Sequence, residues 1–164
     1  MPDSKRLQVK KALTELLEGI TTANGYNFDL ADKVWRGRTR IGEESQAPFL
    51  VIFEVIPEGP DVVGGDLNRN LWDVAVKGYI EADTVHPTDP ADNLMADVKK
   101  CLYQIADSGG GGAAGPNFML GGLVADMEVD NGVTFSPDDT TNMAYFAMKI
   151  TFTFTESLEN PYGT

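Results

Sequence analysis

His86 is the only histidine in the 164-residue chain and Cys101 the only cysteine, so the usual carriers of acid–base and nucleophilic chemistry come singly. One histidine cannot supply a two-histidine metal site or a His-Glu-x-x-His helix. His86 stands in Thr84-Val-His-Pro-Thr88, ahead of a helix signal, a setting in which a loop histidine is ordinarily structural or solvated. Cys101 falls on an apolar stripe, away from any helix N-terminus that would lower its pKa, and reads as a core thiol. The glycines at 109–112 follow a helix and run into Ala113-Ala-Gly-Pro116. A phosphate loop needs Lys and Ser/Thr after its glycines, at the mouth of a helix, so this run reads as a connector. Asp126, Glu128 and Asp130 match the opening of a calcium loop, but its sixth place holds Asn131 and its twelfth Pro137. The same spacing fits a strand with an acidic solvent face. These residues point away from an enzyme and imply no metal and no cofactor.

Charge is the stronger signal. Residues 1–40 carry eight basic and five acidic residues, whereas 41–164 carry five basic and twenty acidic ones, for a net −12. Such a chain repels a phosphate backbone, and a DNA-reading role is not expected. Arg36, Arg38 and Arg40 form a local exception. At alternate positions of an extended segment, 33–40, they would share one face as a cationic row. They would either pair with the protein's own acids or dock an acidic partner or neighbouring subunit through bidentate carboxylate contacts. Val62 and Val63, and then Phe118, Met119 and Leu120, are apolar groups in stretches that read as loops, and so are candidate contact residues.

The elements that would position these groups follow from periodicity. Met143 to Thr155 alternates strictly, with Ala144, Phe146, Met148, Ile150, Phe152 and Phe154 on one side. Thirteen such residues would span roughly 43 Å, longer than a common strand. Helices are expected from Asp3 to Ile20 and from an Asp89 cap, with Pro90 at the first position, to Asp107. Phe49–Ile56 reads as a strand buried on both faces, Pro57–Asn70 as a long loop, and Leu71–Ala82 as a second alternating strand. A further extended segment, Gly122–Val129, leads to Asp130-Asn131-Gly132, which reads as a hairpin turn. Residues 156–164 have little to pack and are expected to fray as a flexible tail. The sum is a single domain spanning 1–164. Its expected fold is α+β, a two-layer sandwich with a mixed sheet of about four main strands and two helices on one face. No apolar run approaches membrane-spanning length, and a lone cysteine suits a reducing compartment.

Several local patterns occur in a fixed order: the first helix leading to Gly25-Tyr26, then Val34-Trp35-Arg36-Gly37, Pro48-Phe49, Trp72-Asp-Val-Ala-Val-Lys-Gly78, Thr88-Asp-Pro-Ala-Asp92, and Phe152-Thr-Phe-Thr-Glu-Ser-Leu-Glu-Asn-Pro161. In that order they resemble the tail terminator (tail completion) proteins of long-tailed bacteriophages, over nearly the whole chain. The resemblance implies a structural virion protein that forms a ring, commonly a homohexamer. Such a ring sits on the head-proximal end of the tail tube, stops tube polymerisation and offers a surface for head–tail joining. The implied partners are other copies of itself, the tail tube protein and the head–tail connector, with DNA only as passing cargo and no membrane. The implied location is the virion tail, assembled in the host cytoplasm. A head-completion or neck connector protein is the alternative within the same virion, and a small enzyme using His86 or the Asp126 cluster is the alternative outside it.

Overall fold

The computed structural model describes residues 1–40, 46–56, 62–64, 67–107, 119–138, 142–157 and 159–162. The fold is α+β, with a mixed sheet. The first helix, α1 (Lys5–Glu18), is capped by Ser4, whose hydroxyl accepts from the Leu7 N–H at 3.3 Å. Its Val9, Leu13 and Leu17 recur at helical spacing and are fully buried. The second helix, α2 (Asp89–Asp107), buries Ala91, Leu94, Val98, Cys101 and Leu102 in the same cluster.

The strands are β1 (Val34–Arg36), β2 (Phe49–Glu54), β3 (Val62–Gly64), β4 (Leu67–Glu81), β5 (Asp126–Val129), β6 (Val133–Phe135) and β7 (Met143–Ser157). A short left-handed turn, Met119–Gly122, precedes β5, with φ of 55° at Leu120 and 70° at Gly121. The sheet order is β1-β2-β4-β7-β5, with β3 also on β4 and β6 also on β7. β1 and β2 run parallel, and every other pairing is antiparallel. The centre is the β4–β7 pair, in register over fifteen residues from Leu67↔Ser157 to Glu81↔Met143. Each strand is about 50 Å long at 3.3 Å per residue, against about 21 Å for α1 and 28 Å for α2 at 1.5 Å per residue. The pairing therefore continues beyond both helices, and β3 joins it at Arg69, Asn68 and Leu67.

Alternation divides the sheet into two faces. Leu50, Ile52, Trp72, Val74, Val76, Ile80, Phe146, Met148, Ile150, Phe152 and Phe154 join the helix residues in one core. Gly78 lies in the middle of it: a Cβ there would sit 2.1 Å from Phe146 Cε1 and 2.9 Å from Leu50 Cδ2. The glycine makes room for the ring opposite it, a use of strand glycine that permits close approach. Asp97, 3% exposed, ties the loop after α1 to α2. Its carboxylate accepts from the Asn27 and Phe28 backbone N–H groups at 2.7 and 3.2 Å and from Asn27 Nδ2 at 3.0 Å.

Several boundaries differ from expectation. The stretch Pro57–Asn70, expected as a loop, contains β3 and the first four residues of β4. The β2 strand stops at Glu54, and Ile56 is 87% exposed. The strand expected to start at Gly122 starts at Asp126, because Gly121 and Gly122 adopt left-handed φ values of 70° and 85°. Of the tail expected to fray, 156–164, the described residues are docked, and 158, 163 and 164 lie outside them. β7 runs to Ser157, the Pro161 carbonyl accepts from the Lys5 N–H at 2.9 Å, and the Tyr162 carbonyl accepts from Gln8 Nε2 at 3.0 Å. The reason is local: Lys5 opens a helix, and its N–H has no partner inside the helix.

Candidate interaction surface

Cross-strand register builds a row of aromatic rings on the sheet face away from the helices. Phe49 pairs with Tyr79, Tyr79 with Tyr145, and Tyr145 with Phe135, so the four side chains share that face. Their ring centroids lie 5.1, 5.5 and 4.7 Å apart, and all three pairs are stacked. Trp35 extends the row at 4.9 Å from Phe49, and the Arg38 guanidinium covers the indole at 4.2 Å. The row crosses β1, β2, β4, β7 and β6. Each contact of this kind contributes about 0.5–1.5 kcal/mol beyond area burial. Phe49 and Val51 are essentially inaccessible although they lie outside the helix-side core. Burial raises the Tyr79 pKa above the usual phenol value, with the Tyr145 and Asp138 charges adding to it. On the same face Thr151 Oγ1 donates to Asp73 at 2.6 Å, and Lys149 Nζ lies 3.6 Å from the other Asp73 oxygen.

The two margins of the sheet differ in sign. At one margin β1 ends at Arg36, because Gly37 takes φ of 66°. The alternation needed to align Arg36, Arg38 and Arg40 on one strand face is therefore broken. Arg36 Nη1 donates to Thr14 Oγ1 at 3.3 Å, Arg38 lies on Trp35, and Arg40 is exposed. The three remain within one short stretch of a sheet margin, but not as a row.

At the other margin β5 and β6 both pair with β7, and not with each other. Val129 faces Ile150 and Val133 faces Ala147, so three residues of this margin span two of β7. Asp130-Asn131-Gly132, expected as a hairpin turn, is thus a bulge in an interrupted edge strand. Gly132 supplies the left-handed φ of 69°. The Asp130 carboxylate accepts from the N–H groups of Gly132 and Lys149 at 3.0 and 2.9 Å and so replaces a missing rung. The extra residue shifts the alternation by one. Met127 faces the helices through its pairing with Phe152, whereas Val133 and Phe135 lie with Ala147 and Tyr145 on the outer face. Asp126, Glu128 and Asp130 are all exposed.

The other candidate contact residues scatter. Val62 and Val63 lie in β3, paired to β4, and not in a loop. Phe118 lies outside the described residues. Met119 is half-buried against the core, and Leu120, 6% exposed, belongs to it, so neither offers a protruding contact. Leucine at this left-handed position is buried by the hydrophobic gain of joining the core. Between α2 and β5 a cleft of about 340 Å³ is lined by Lys99, Leu102, Tyr103, Met127, Val129 and Asp130.

Of the residues considered for chemistry, His86 lies on an exposed turn and Cys101 in the core. His86 is exposed, and its backbone N–H and that of Val85 donate to Asp83 at 2.7 and 2.8 Å, which holds the Asp83 carboxyl below its usual pKa. The Cys101 thiol is buried 3.6 Å from the Leu16 carbonyl oxygen, and burial pushes its pKa up to about 11. Burial likewise raises Tyr26 to about 12, with the neighbouring Cys101 contributing. Among the described residues, no group of three or more His, Cys, Asp or Glu side chains is placed to hold a metal ion. No described helix is long and apolar enough to cross a membrane. Sequence reading missed the aromatic row, although Tyr79 and Tyr145 fall on the polar side of otherwise clear alternation. It also missed Asp97, an acid at helical spacing between Leu94 and Cys101 on the buried stripe.

No protein-family model matches the chain, and no curated protein sequence does either.

Proposed function

We propose that the protein is a structural virion component: a ring-forming tail terminator that closes the head-proximal end of a phage tail tube and offers a surface for head–tail joining. The observation that carries this reading is the layout of the sheet. Helices cover one face, while the other carries a five-ring aromatic row and ends in two margins of opposite charge. Such a sheet suits repeated protein–protein contact. The order of local sequence patterns supplies the family. A net charge of −12 per copy suits a passage through which DNA slides without adhering.

The test is tube assembly with purified tail tube protein from the same virion. Added protein should bind one end of each tube and shorten the length distribution seen by negative-stain electron microscopy. Ring-shaped particles should form in its own concentrated solutions. A protein that stays monomeric at all concentrations and leaves tube length unchanged overturns the reading. Binding to the head connector, with no effect on tubes, would assign it to the neck instead.

A further inference from the structure

We infer that the protein associates head to tail, with the cationic β1 margin of one copy against the acidic β5–β6 margin of the next. This inference rests on the ring reading and names its contact surfaces. The sheet order leaves β1 and β5 at opposite ends, so each presents backbone groups that no neighbouring strand of the described residues takes up. Residues 33–40 hold four cations and no acid, and residues 126–138 hold four acids and no cation. Arg36, Arg40, Asp126, Glu128 and Asp130 are exposed, and none lies within ion-pair distance of an opposite charge among the described residues. Arg36 is near enough to Glu18 of α1 for its charge to act on that carboxylate.

Charge also selects the symmetry. A two-fold contact would set like against like, β1 on β1 or β5 on β5, and repulsion disfavours both. A contact between different margins is attractive, and repetition of such a contact closes into a ring when the rotation between copies permits. Exposed apolar groups on the acidic margin give the contact substance beyond charge: Val129 is 38% exposed, Val133 51% and Phe135 39%. On the cationic margin their counterpart is the half-buried Trp35 indole with Arg38 over it.

The test uses two full-length variants, R36E/R40E and D126K/E128K, followed by sedimentation velocity, with circular dichroism melts to show that each is folded. The first cancels the net positive charge of residues 33–40 and the second the net negative charge of residues 126–138. In each alone the reversed side chains therefore meet like charge across the contact, and the ring species that the wild type forms should be lost. Mixed in equal amounts they should recover it, because alternating copies restore every contact in an even-numbered ring. Should R36E/R40E fail to fold through loss of the Thr14 contact, K33E/R40E takes its place. Wild-type rings that persist in both variants overturn the pairing of margins while leaving the ring reading intact. So do folded variants whose mixture stays monomeric. A wild type that never associates, alone or on tubes, overturns the ring reading itself.

Discussion

Replacing Gly78 with alanine would place a methyl group where the Phe146 ring already lies. The added carbon would stand 2.1 and 2.7 Å from two ring atoms and 2.9 Å from Leu50 Cδ2. Ordinary carbon–carbon contact is about 3.5–4.0 Å. Phe146 is fully buried in the core, so its ring cannot swing into solvent and the clash must be met by moving the core. Overpacking of this kind costs about 1–3 kcal/mol. Relief of the backbone entropy of a strand glycine offsets about 0.5–1 kcal/mol of that. An approach of 2.1 Å calls for the upper end of that cost, so the expected net loss is about 2 kcal/mol, or a fall in Tm of about 4–8 °C for a chain of this size. Urea denaturation of Gly78→Ala, Phe146→Leu and the double variant checks the cause as well as the size. The smaller side chain should make room for the methyl, so the double variant should be more stable than the sum of the single losses implies, by about 1 kcal/mol or more. Additive losses, or a Gly78→Ala protein as stable as the wild type, would refute the close-approach argument.

Asp97→Ala should cost about 3–5 kcal/mol, since three hydrogen bonds to a buried carboxylate are lost together and two backbone N–H groups are left without an acceptor. Hydrogen exchange should speed up at Asn27 and Phe28 in particular; unchanged exchange there would count against the anchoring role. Alkaline stability should follow Cys101 and Tyr26. Their ordinary values are 9.0 and 10.0, and burial raises them to about 11 and about 12. Between these values the unfolded chain has released protons that the folded chain still holds, so stability is whole below pH 9 and falls as pH rises toward 12. Thermal melts across that range check the sign, and Cys101→Ala should remove the part of the fall that begins near pH 9.

The fold was legible where one periodicity ran unopposed. Both helices and the long C-terminal strand follow from spacing alone, because their apolar residues are buried on one face only. Residues 57–70 misled for a physical reason: Gly and Pro lower local strand preference, and the pairing of Leu67–Asn70 comes from the distant partner β7. Asn131-Gly132 misled differently. A left-handed glycine serves a hairpin turn or an edge bulge equally well, and only the register of β7 decides between them. For the candidate surface, the alternation of Arg36, Arg38 and Arg40 was visible, but the left-handed Gly37 between them cancelled its consequence. The aromatic row needed knowledge of which strands are neighbours, which no local pattern carries.

The bulge at Asp130–Gly132 has a consequence for growth. A straight, regular edge is a template on which further strands can add without limit, as in fibrils. Here the edge changes phase after four residues of β5 and offers only three more in β6, and Asp130 spends its side chain on an internal rung. An incoming strand can follow this edge for about one turn of its pleat pattern before the hydrogen-bonding sense is lost. The irregularity acts as a stop on lateral extension, letting the sheet accept a short neighbour while denying it an endless one.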